Sequence, residues 1–522
     1  MADRSAVLAP LSRPDAERLL PRLNSVRPDL EERILRARCL RAIEAFDVAW
    51  NELLPLREKV KDRLLRARVE QDLLHLSYYV RPSSGGGSRA DADARGTTGS
   101  QSEPVGHELD LRQLYESGMR DAGGDALLVA ELDTAWSVHR LVSNDAQGAL
   151  RAAQAAEDAL RAAPQSRERE LVLARLQRQL AHVLALAAEY PQARAAADAS
   201  LASARRLRDP WETAWSTYAT GFAAWCAGAV EDADSSLVRA EELLRPYGTS
   251  AWRWTVYCLA RVRLEQGAIE EGDRLARQSG AGVASERAFI ALARRDIGVA
   301  AQLVGAAPPD ERPFSTAVEG MVVSRRGEPR TAVRLLEEAR TAFAADGLQH
   351  YALGAAAHLA FARENLAYGG GRERGVRVVR ELADRGGSGF AWFLPEVAEW
   401  LGKLAISDPR AAPLAKALRA RGETARARAR RASPSEPSEV DGATAHLRMA
   451  GLTWRELDIV RRLSLLAQEG ERLDRDTLAE RLGMSPNTLR VHLTRIRAKL
   501  DVGDKRGDEA ILEAVKRLPA TV

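Results

Sequence analysis

The chain has 522 residues, of which 45% are hydrophobic and 29% charged, so it can bury a large core and is long enough for more than one domain. Aromatic residues make up only 5%, and a formal net charge of +4 excludes a polycation that binds nucleic acid over its whole surface. The three cysteines are isolated in sequence, which excludes a disulfide framework. No stretch reaches about 18 apolar residues, which excludes a membrane partner. Together these features predict a cytoplasmic protein with buried thiols.

Composition divides the chain into five segments. Residues 1–80 are helical by pattern. Residues 81–106, "RPSSGGGSRADADARGTTGSQSEPVG", have almost nothing to bury and predict a flexible linker. Residues 107–418 are helical again, and residues 419–444 form a second linker that turns from a basic run into Ser, Pro and Glu. Residues 445–522 are predicted to form a compact C-terminal unit.

An internal repeat occupies residues 107–418. Residues that are mostly small recur at offsets of 12, 4 and 3, with Leu or Val at the third position in three of the six sets. Each set lies on two helical patterns joined by a short turn. The sets are Ser137, Ala149, Ala153, Ala156; Ala181, Ala193, Ala197, Ser200; Gly221, Ala233, Leu237, Ala240; Ala260, Gly272, Ala276, Ser279; Ala288, Ala300, Val304, Ala307; and Gly320, Ala332, Leu336, Ala339. Small side chains at these positions let the two helices of a hairpin approach closely.

This array resembles tetratricopeptide (TPR) repeats, whose period is about 34 residues. Successive units here are 28 to 44 residues apart, and most of the large aromatics of the family pattern are missing. Generic Ala-rich helical packing is the alternative, but the shared offsets favour a solenoid. Such arrays bind peptides, proteins or small ligands on their concave face. Seven tryptophans could line that face, although tryptophans are more often core residues, so no ligand site is assigned to Trp211, Trp215, Trp225, Trp252, Trp254, Trp392 and Trp400.

Three helices are predicted in the C-terminal unit. Thr453 and Glu456 form a capping box at the start of the first, whose inward residues are Leu457, Val460 and Leu463. The second helix, "DRDTLAERLG", turns Leu478 and Leu482 inward and ends at Gly483. Ser485 caps the third, and Pro486 occupies its first position, where a missing N–H has no cost.

The third helix has two contrasting faces. Leu489, Leu493, Ile496 and Leu500 repeat at spacings of 4, 3 and 4 and form one narrow apolar face. The opposite face presents Asn487, Val491, Thr494 and Ala498, with Arg490, Arg495 and Arg497 on its flanks. Two helices joined by a tight turn, the second presenting Asn, Thr and Arg, suit insertion into a DNA major groove. Six Lys or Arg against two Asp between residues 483 and 506 concentrate basic charge there.

The segments "LTWRELDIV", "LAERLGMSPNTLRVHLTRIRAKLDV" and "KRGDEAI" resemble the four-helix DNA-binding domain of LuxR-type bacterial transcription regulators over residues 452–517. The resemblance implies that Arg490, Val491 and Thr494 read bases. It places Ser485, Asn487, Thr488 and Arg495 nearer the DNA backbone. It implies that His492 either supports the fold or contacts a phosphate. Leu512 and Val515 would lie on the helix used for dimer contacts. Arg497 is a further candidate DNA contact. Two features depart from the family pattern: residue 490 is Arg and not Lys or Glu, and the segment "AQEGERLDRDT" between the first two helices is a few residues longer than is usual. The extra length leaves open a variant closer to winged or sigma-region-4 helix-turn-helix domains.

The sequence has no motif for nucleotide binding, metal binding or nucleophilic catalysis, so neither a catalytic site nor a cofactor is predicted. Asp and Glu on the Arg-rich helices are expected to form solvated i,i+4 pairs. We therefore expect an all-α, non-enzymatic regulator, nucleoid-associated when bound to DNA. Its predicted partners are double-stranded DNA, an effector on the solenoid, RNA polymerase and a second copy of the chain. The alternative is a TPR-type interaction scaffold whose terminal helix-turn-helix acts as a protein adaptor.

Overall fold

A computed structural model describes residues 7–24, 28–79, 110–280, 284–294, 296–307, 311–364, 366, 370–387, 394–406, 408–412, 414–418, 452, 456, 459–460, 463, 475–481 and 485–500. Within these residues the regular elements are helices, and none is a strand. Both predicted linkers, residues 81–106 and 419–444, lie outside the described residues, so the limits of the five segments stay predictions.

The helices are numbered in chain order. They are α1 Arg13–Leu23, α2 Leu30–Ala42, α3 Phe46–Leu53, α4 Arg63–Leu76, α5 Leu111–Ala122, α6 Ala126–Val142, α7 Ala146–Ala162, α8 Arg167–Leu186, α9 Tyr190–Leu207, α10 Pro210–Cys226, α11 Val230–Leu244, α12 Ser250–Glu265, α13 Ile269–Ser279, α14 Ala284–Ala293, α15 Ile297–Gly305, α16 Phe314–Arg325, α17 Pro329–Ala345, α18 Gln349–Glu364, α19 Gly371–Asp384, α20 Pro395–Ala405, α21 Arg475–Arg481 and α22 Pro486–Lys499.

The chain divides into two compact units. The first comprises Met1–Leu259, Ala344–His350 and Arg385–Gly387, and the second comprises Ala260–Phe343, Tyr351–Asp384 and Ser388–Val522. In the first unit α4, α6, α8 and α10 pack on one another in chain order and form a layer that we call the A-row. Helices α5, α7, α9 and α11 each pack between successive A-row helices or against the last one. This stacking of antiparallel pairs confirms the predicted all-α solenoid.

Close approach within the hairpins depends on the small residues of the repeat. In the α10–α11 hairpin, a Cβ added at Gly221 would lie 2.7 Å from the Leu237 Cγ. The equivalent glycine of the α16–α17 hairpin, Gly320, has the same 2.7 Å distance to the Cγ of Leu336. In the α6–α7 hairpin a serine takes this place, and the Ser137 Oγ donates to the Ala149 carbonyl at 2.8 Å. The predicted role of these positions is therefore confirmed in these three hairpins.

Gly221→Ala is expected to lower the free energy of unfolding by up to about 2 kcal/mol. Overpacking against Leu237 costs roughly 1–3 kcal/mol, which outweighs the gain of about 1 kcal/mol in helix propensity. Gly305→Ala is the matched control, because a Cβ there meets nothing within 4 Å. Urea unfolding of both variants measures the difference. Equal stability of the two would contradict the close-approach role of Gly221.

Several other predictions concern buried side chains. Cys39, Cys226 and Cys258 are buried thiols, as expected, and none of the three forms a disulfide. Burial raises the pKa of the Cys39 thiol to about 12. Trp211 and Trp225 are buried, whereas Trp215, Trp252, Trp254 and Trp400 are half-buried. Trp392 lies outside the described residues. In the part of the chain that the structure describes, no helix is both long and apolar enough to cross a membrane.

Candidate functional site

The start of α22 has the predicted cap. Ser485 is in an extended conformation, and its Oγ accepts a hydrogen bond from the Thr488 N–H at 3.1 Å. The two hydroxyls of these residues also lie 2.8 Å apart, and Pro486 occupies the first turn. An N-cap of this kind contributes about 1 kcal/mol to the helix. Ser485 and Thr488 thus fix the start of the helix that carries the other candidate residues.

One side of α22 is anchored in a small apolar core. Leu489, Leu493 and Ile496 are buried, whereas Leu500 is half-buried. The preceding α21 packs against this helix. Other buried residues of the same segment are Leu452, Ile459, Val460, Leu463, Leu478 and Ala479. The predicted inward residues Leu457 and Leu482 and the turn residue Gly483 lie outside the described residues.

Glu456 has a role that the sequence did not indicate. Its carboxylate is buried, and its Oε2 accepts from the Lys499 Nζ at 2.6 Å. Thr453, its predicted capping-box partner, lies outside the described residues. The ion pair joins the first predicted helix of the C-terminal unit to the last turn of α22. It therefore holds the candidate reading helix at its C-terminal end, as the Ser485 cap does at its start.

The opposite side of α22 is exposed and polar. The exposed residues are Asn487, Arg490, Val491, Thr494, Arg495 and Ala498. Val491 is 44% exposed, which is unusual for a large aliphatic side chain in this chain. Arg490 Nη2 donates to the Asn487 Oδ1 at 2.6 Å, and the Thr494 Oγ1 donates to the Arg490 carbonyl at 3.0 Å. Four predicted site residues therefore lie together on one accessible surface, which we call the α22 outer face: Asn487, Arg490, Val491 and Thr494.

Two further candidate residues differ from this pattern. Arg497 is half-buried at the flank of the helix, unlike the exposed Arg490 and Arg495. His492 is also half-buried, and its ring lies against the turn between α16 and α17 in the second unit. Its Cε1 and Nε2 are each 3.6 Å from the position that a Cβ on Gly327 would take. His492 is therefore in contact with protein, and it is not part of the α22 outer face.

A group of three arginines in the first unit, two of them buried and one half-buried, was not predicted from the sequence. The Arg38 Nε pairs with the Asp72 Oδ2 at 3.0 Å, Arg68 Nη1 with the Glu131 Oε2 at 2.5 Å, and Arg175 Nε with the Glu212 Oε1 at 2.7 Å. Their carboxylate partners lie on the A-row helices α4, α6 and α10. We call Arg38, Arg68 and Arg175 the arginine row.

The arginine row corrects the expectation that charges on these helices form solvated i,i+4 pairs. Such pairs do occur, as between Arg112 and Glu116 at 2.9 Å on the surface. Arg38 and Asp72, in contrast, are 34 residues apart and completely buried. Burial lowers the pKa of Arg38 to about 10, and Asp72 opposes that shift, so the guanidinium stays charged at neutral pH. In the sequence, the arginines of the arginine row can be recognised only as arginines at positions that the helical pattern places on the inward face.

No family model matches the chain, and no curated protein matches it. Three similar solved structures are helical-repeat proteins. A Rap protein complexed with competence and sporulation factor is 12% identical, with a TM-score of 0.37, over 71% of this chain and 93% of that one. The Rap conjugation gene regulator of plasmid pLS20 is 13% identical, with a TM-score of 0.31, over 80% and 97%. The Cut9–Hcn1 hetero-tetramer of APC/C is 11% identical, with a TM-score of 0.28, over 81% and 92%. The LuxR-type resemblance of residues 452–517 has no counterpart among these matches.

Proposed function

We propose that the chain is a cytoplasmic, non-enzymatic bacterial transcription regulator that binds double-stranded DNA through a C-terminal LuxR-like helix-turn-helix. The observation that supports this most is the α22 outer face. A helix fixed by its cap and by the Glu456–Lys499 pair, with one side buried, presents Arg, Asn, Thr and an exposed Val in a row. A major groove admits such a helix.

The side chains of the α22 outer face match the chemistry of base edges. Arg490 can pair bidentately with guanine, Asn487 with adenine, and Val491 can contact a thymine methyl group. Arg495 and the N-terminal end of the helix are suited to phosphates. Binding releases the hydrogen bond between Arg490 and Asn487, because both side chains then turn to the DNA.

In this proposal the solenoid binds a peptide, protein or small-molecule effector and controls the helix-turn-helix. Such control requires that the effector binds two states of the protein with different affinities. A second copy of the chain would present two reading helices to two half-sites, and RNA polymerase is the expected downstream partner. The rival function is a protein-interaction scaffold whose helix-turn-helix is an adaptor. The stacked helical pairs of the first unit favour this rival equally well.

Genomic footprinting of the intact protein tests the proposed function. The regulator is expected to protect a limited set of sites that share a sequence pattern. A scaffold is expected to give no protected sites, or protection without any shared sequence. That second result would contradict the DNA-binding function and favour the scaffold.

A further inference from the structure

The segment Val7–Ser12, which precedes α1, is held by its backbone. Arg38 donates through Nη1 to the Val7 carbonyl and through Nη2 to the Ala9 carbonyl, the latter at 2.8 Å. The Leu8 carbonyl accepts from Arg68 Nη2. The Leu11 carbonyl accepts from Arg175 Nη2 at 2.9 Å. Four of the six carbonyls of this segment are thus bound by the arginine row.

Each guanidinium of the arginine row is divided between two partners. The Nε atoms of Arg38 and Arg175 and the Nη1 of Arg68 pair with carboxylates of the A-row, and other N–H groups of the three arginines donate to the segment. Because Asp72, Glu131 and Glu212 belong to the A-row helices, they orient the three arginines whether or not the segment is present. A planar guanidinium that is already oriented loses little freedom when it binds. The arginine row is therefore a preorganised set of donors for backbone carbonyls.

Apolar anchors complete the contact. The side chains of Val7, Pro10 and Leu11 are buried, and Pro10 has no N–H to satisfy. At the start of α1, the Arg13 guanidinium lies 4.5 Å from the Trp211 ring centroid and 4.6 Å from that of Tyr247. Val7 and Leu8 end a helical turn, where backbone carbonyls lack partners within the helix, and the residues after them are not helical. Backbone hydrogen bonds that do not depend on side chains, together with a few apolar anchors, are one way in which a protein binds a peptide.

We propose that the arginine row is a binding site for an apolar, proline-containing peptide, that Val7–Ser12 is its built-in occupant, and that a free peptide takes the site when this segment is displaced. This inference specifies the chemical class of the effector, and it rests on the function proposed above, in which the solenoid binds an effector. Peptide binding is measured on the solenoid and DNA binding by footprinting, so failure of this inference and failure of the proposed function give different results.

The test uses a fluorescein-labelled peptide of residues 5–16 and two variants of the chain. One variant lacks residues 1–12, and the other is full-length with Leu11→Asp, which disfavours burial of the segment. Fluorescence anisotropy is expected to show binding to both variants at least about tenfold tighter than to the intact chain. A peptide of the same composition in scrambled order reports how much the apolar anchors contribute, and weaker binding of that peptide is expected.

Arg175→Gln in the truncated chain is the matched site variant, since it removes one donor to the peptide. The charge of Glu212 stays compensated, because Arg178 still pairs with Glu212 at 2.7 Å. It should weaken peptide binding about tenfold or more, since a hydrogen bond from a charged donor is lost. Arg239→Gln, on the exposed surface of α11, should leave binding unchanged. Folded variants that bind the peptide no better than the intact chain would overturn the proposal. Unfolding of both the truncated and the Leu11→Asp chains would also overturn it, because a replaceable occupant is not an obligate part of the core.

Discussion

Glu212→Gln is expected to lower the free energy of unfolding of the first unit by about 3–5 kcal/mol. The carboxylate is buried, with Oε1 at 2.7 Å from the Arg175 Nε and Oε2 at 2.7 Å from the Arg178 Nη1. A glutamine cannot neutralise the two half-buried guanidinium groups, so their partial desolvation is no longer offset. Urea unfolding followed by tryptophan fluorescence measures the loss, because Trp211 and Trp215 lie on the same helix as Glu212.

The pH dependence of stability gives a second measure of the same pair. Burial by itself raises the pKa of Glu212, but the charges of Arg175 and Arg178 more than offset it and lower the pKa from 4.5 to about 2. A depressed carboxyl pKa adds stability above pH 4.5, and this stability is lost as the pH falls towards 2. The shift corresponds to about 3 kcal/mol. The difference in the free energy of unfolding between the wild-type chain and Glu212→Gln should therefore narrow as the pH falls from 4.5 towards 2.

Glu242→Gln provides the control for this prediction. Glu242 pairs with Arg239 at 3.1 Å, and both side chains are more than half exposed. Exposed pairs contribute about 0–1 kcal/mol, so this variant should unfold almost as the wild-type chain does. If Glu212→Gln were as stable as Glu242→Gln, the arginine row would not be a buried ionic network.

Arg490→Ala and Thr494→Ala are expected to relax the DNA sequence preference of the protein. Losing the bidentate contact of Arg490 costs about 1–3 kcal/mol of discrimination at that base pair, and losing the single hydrogen bond of Thr494 is expected to cost less. Both side chains are exposed on the α22 outer face, whereas the buried residues Leu489, Leu493 and Ile496 stay intact, so the helix should keep its fold. Competition binding with operator duplexes altered at single positions measures the change in preference.

Arg334→Ala is the matched control for Arg490→Ala. Arg334 is an equally exposed arginine on α17, where it pairs with Glu338 at 3.6 Å. Its removal deletes the same charge without touching the α22 outer face, so sequence preference should be unchanged. A model in which α22 reads bases fails if Arg490→Ala and Thr494→Ala also leave the preference unchanged.

Local and periodic features could be predicted from the sequence. The offsets around Gly221 and Gly320 predicted close helical pairs, because a helix places residues four and three positions apart on one face. The cap at Ser485 was predictable because its partner, Thr488, is only three residues away. The inward face of α22 followed from the 4, 3 spacing of its apolar residues.

Contacts between distant parts of the chain could not be predicted in the same way. Arg68 and Glu131 are 63 residues apart, and Arg175 and the Leu11 carbonyl are 164 apart. Nothing local distinguishes such an arginine from one on a solvated face, because burial depends on the packing of neighbouring helices. The partner of Glu456 was missed for the same reason. A local capping pattern suggested Thr453, whereas Lys499 is 43 residues away.

DNA reading by α22 is tested most directly by the affinity of the intact protein for a duplex recovered by footprinting. This affinity is compared with that for a scrambled duplex over a range of salt concentrations. We predict that the recovered duplex is bound at least about 10³-fold more tightly, and that both affinities fall steeply as salt rises. Equal affinity for the two duplexes, or no binding to either, would show that α22 does not read DNA.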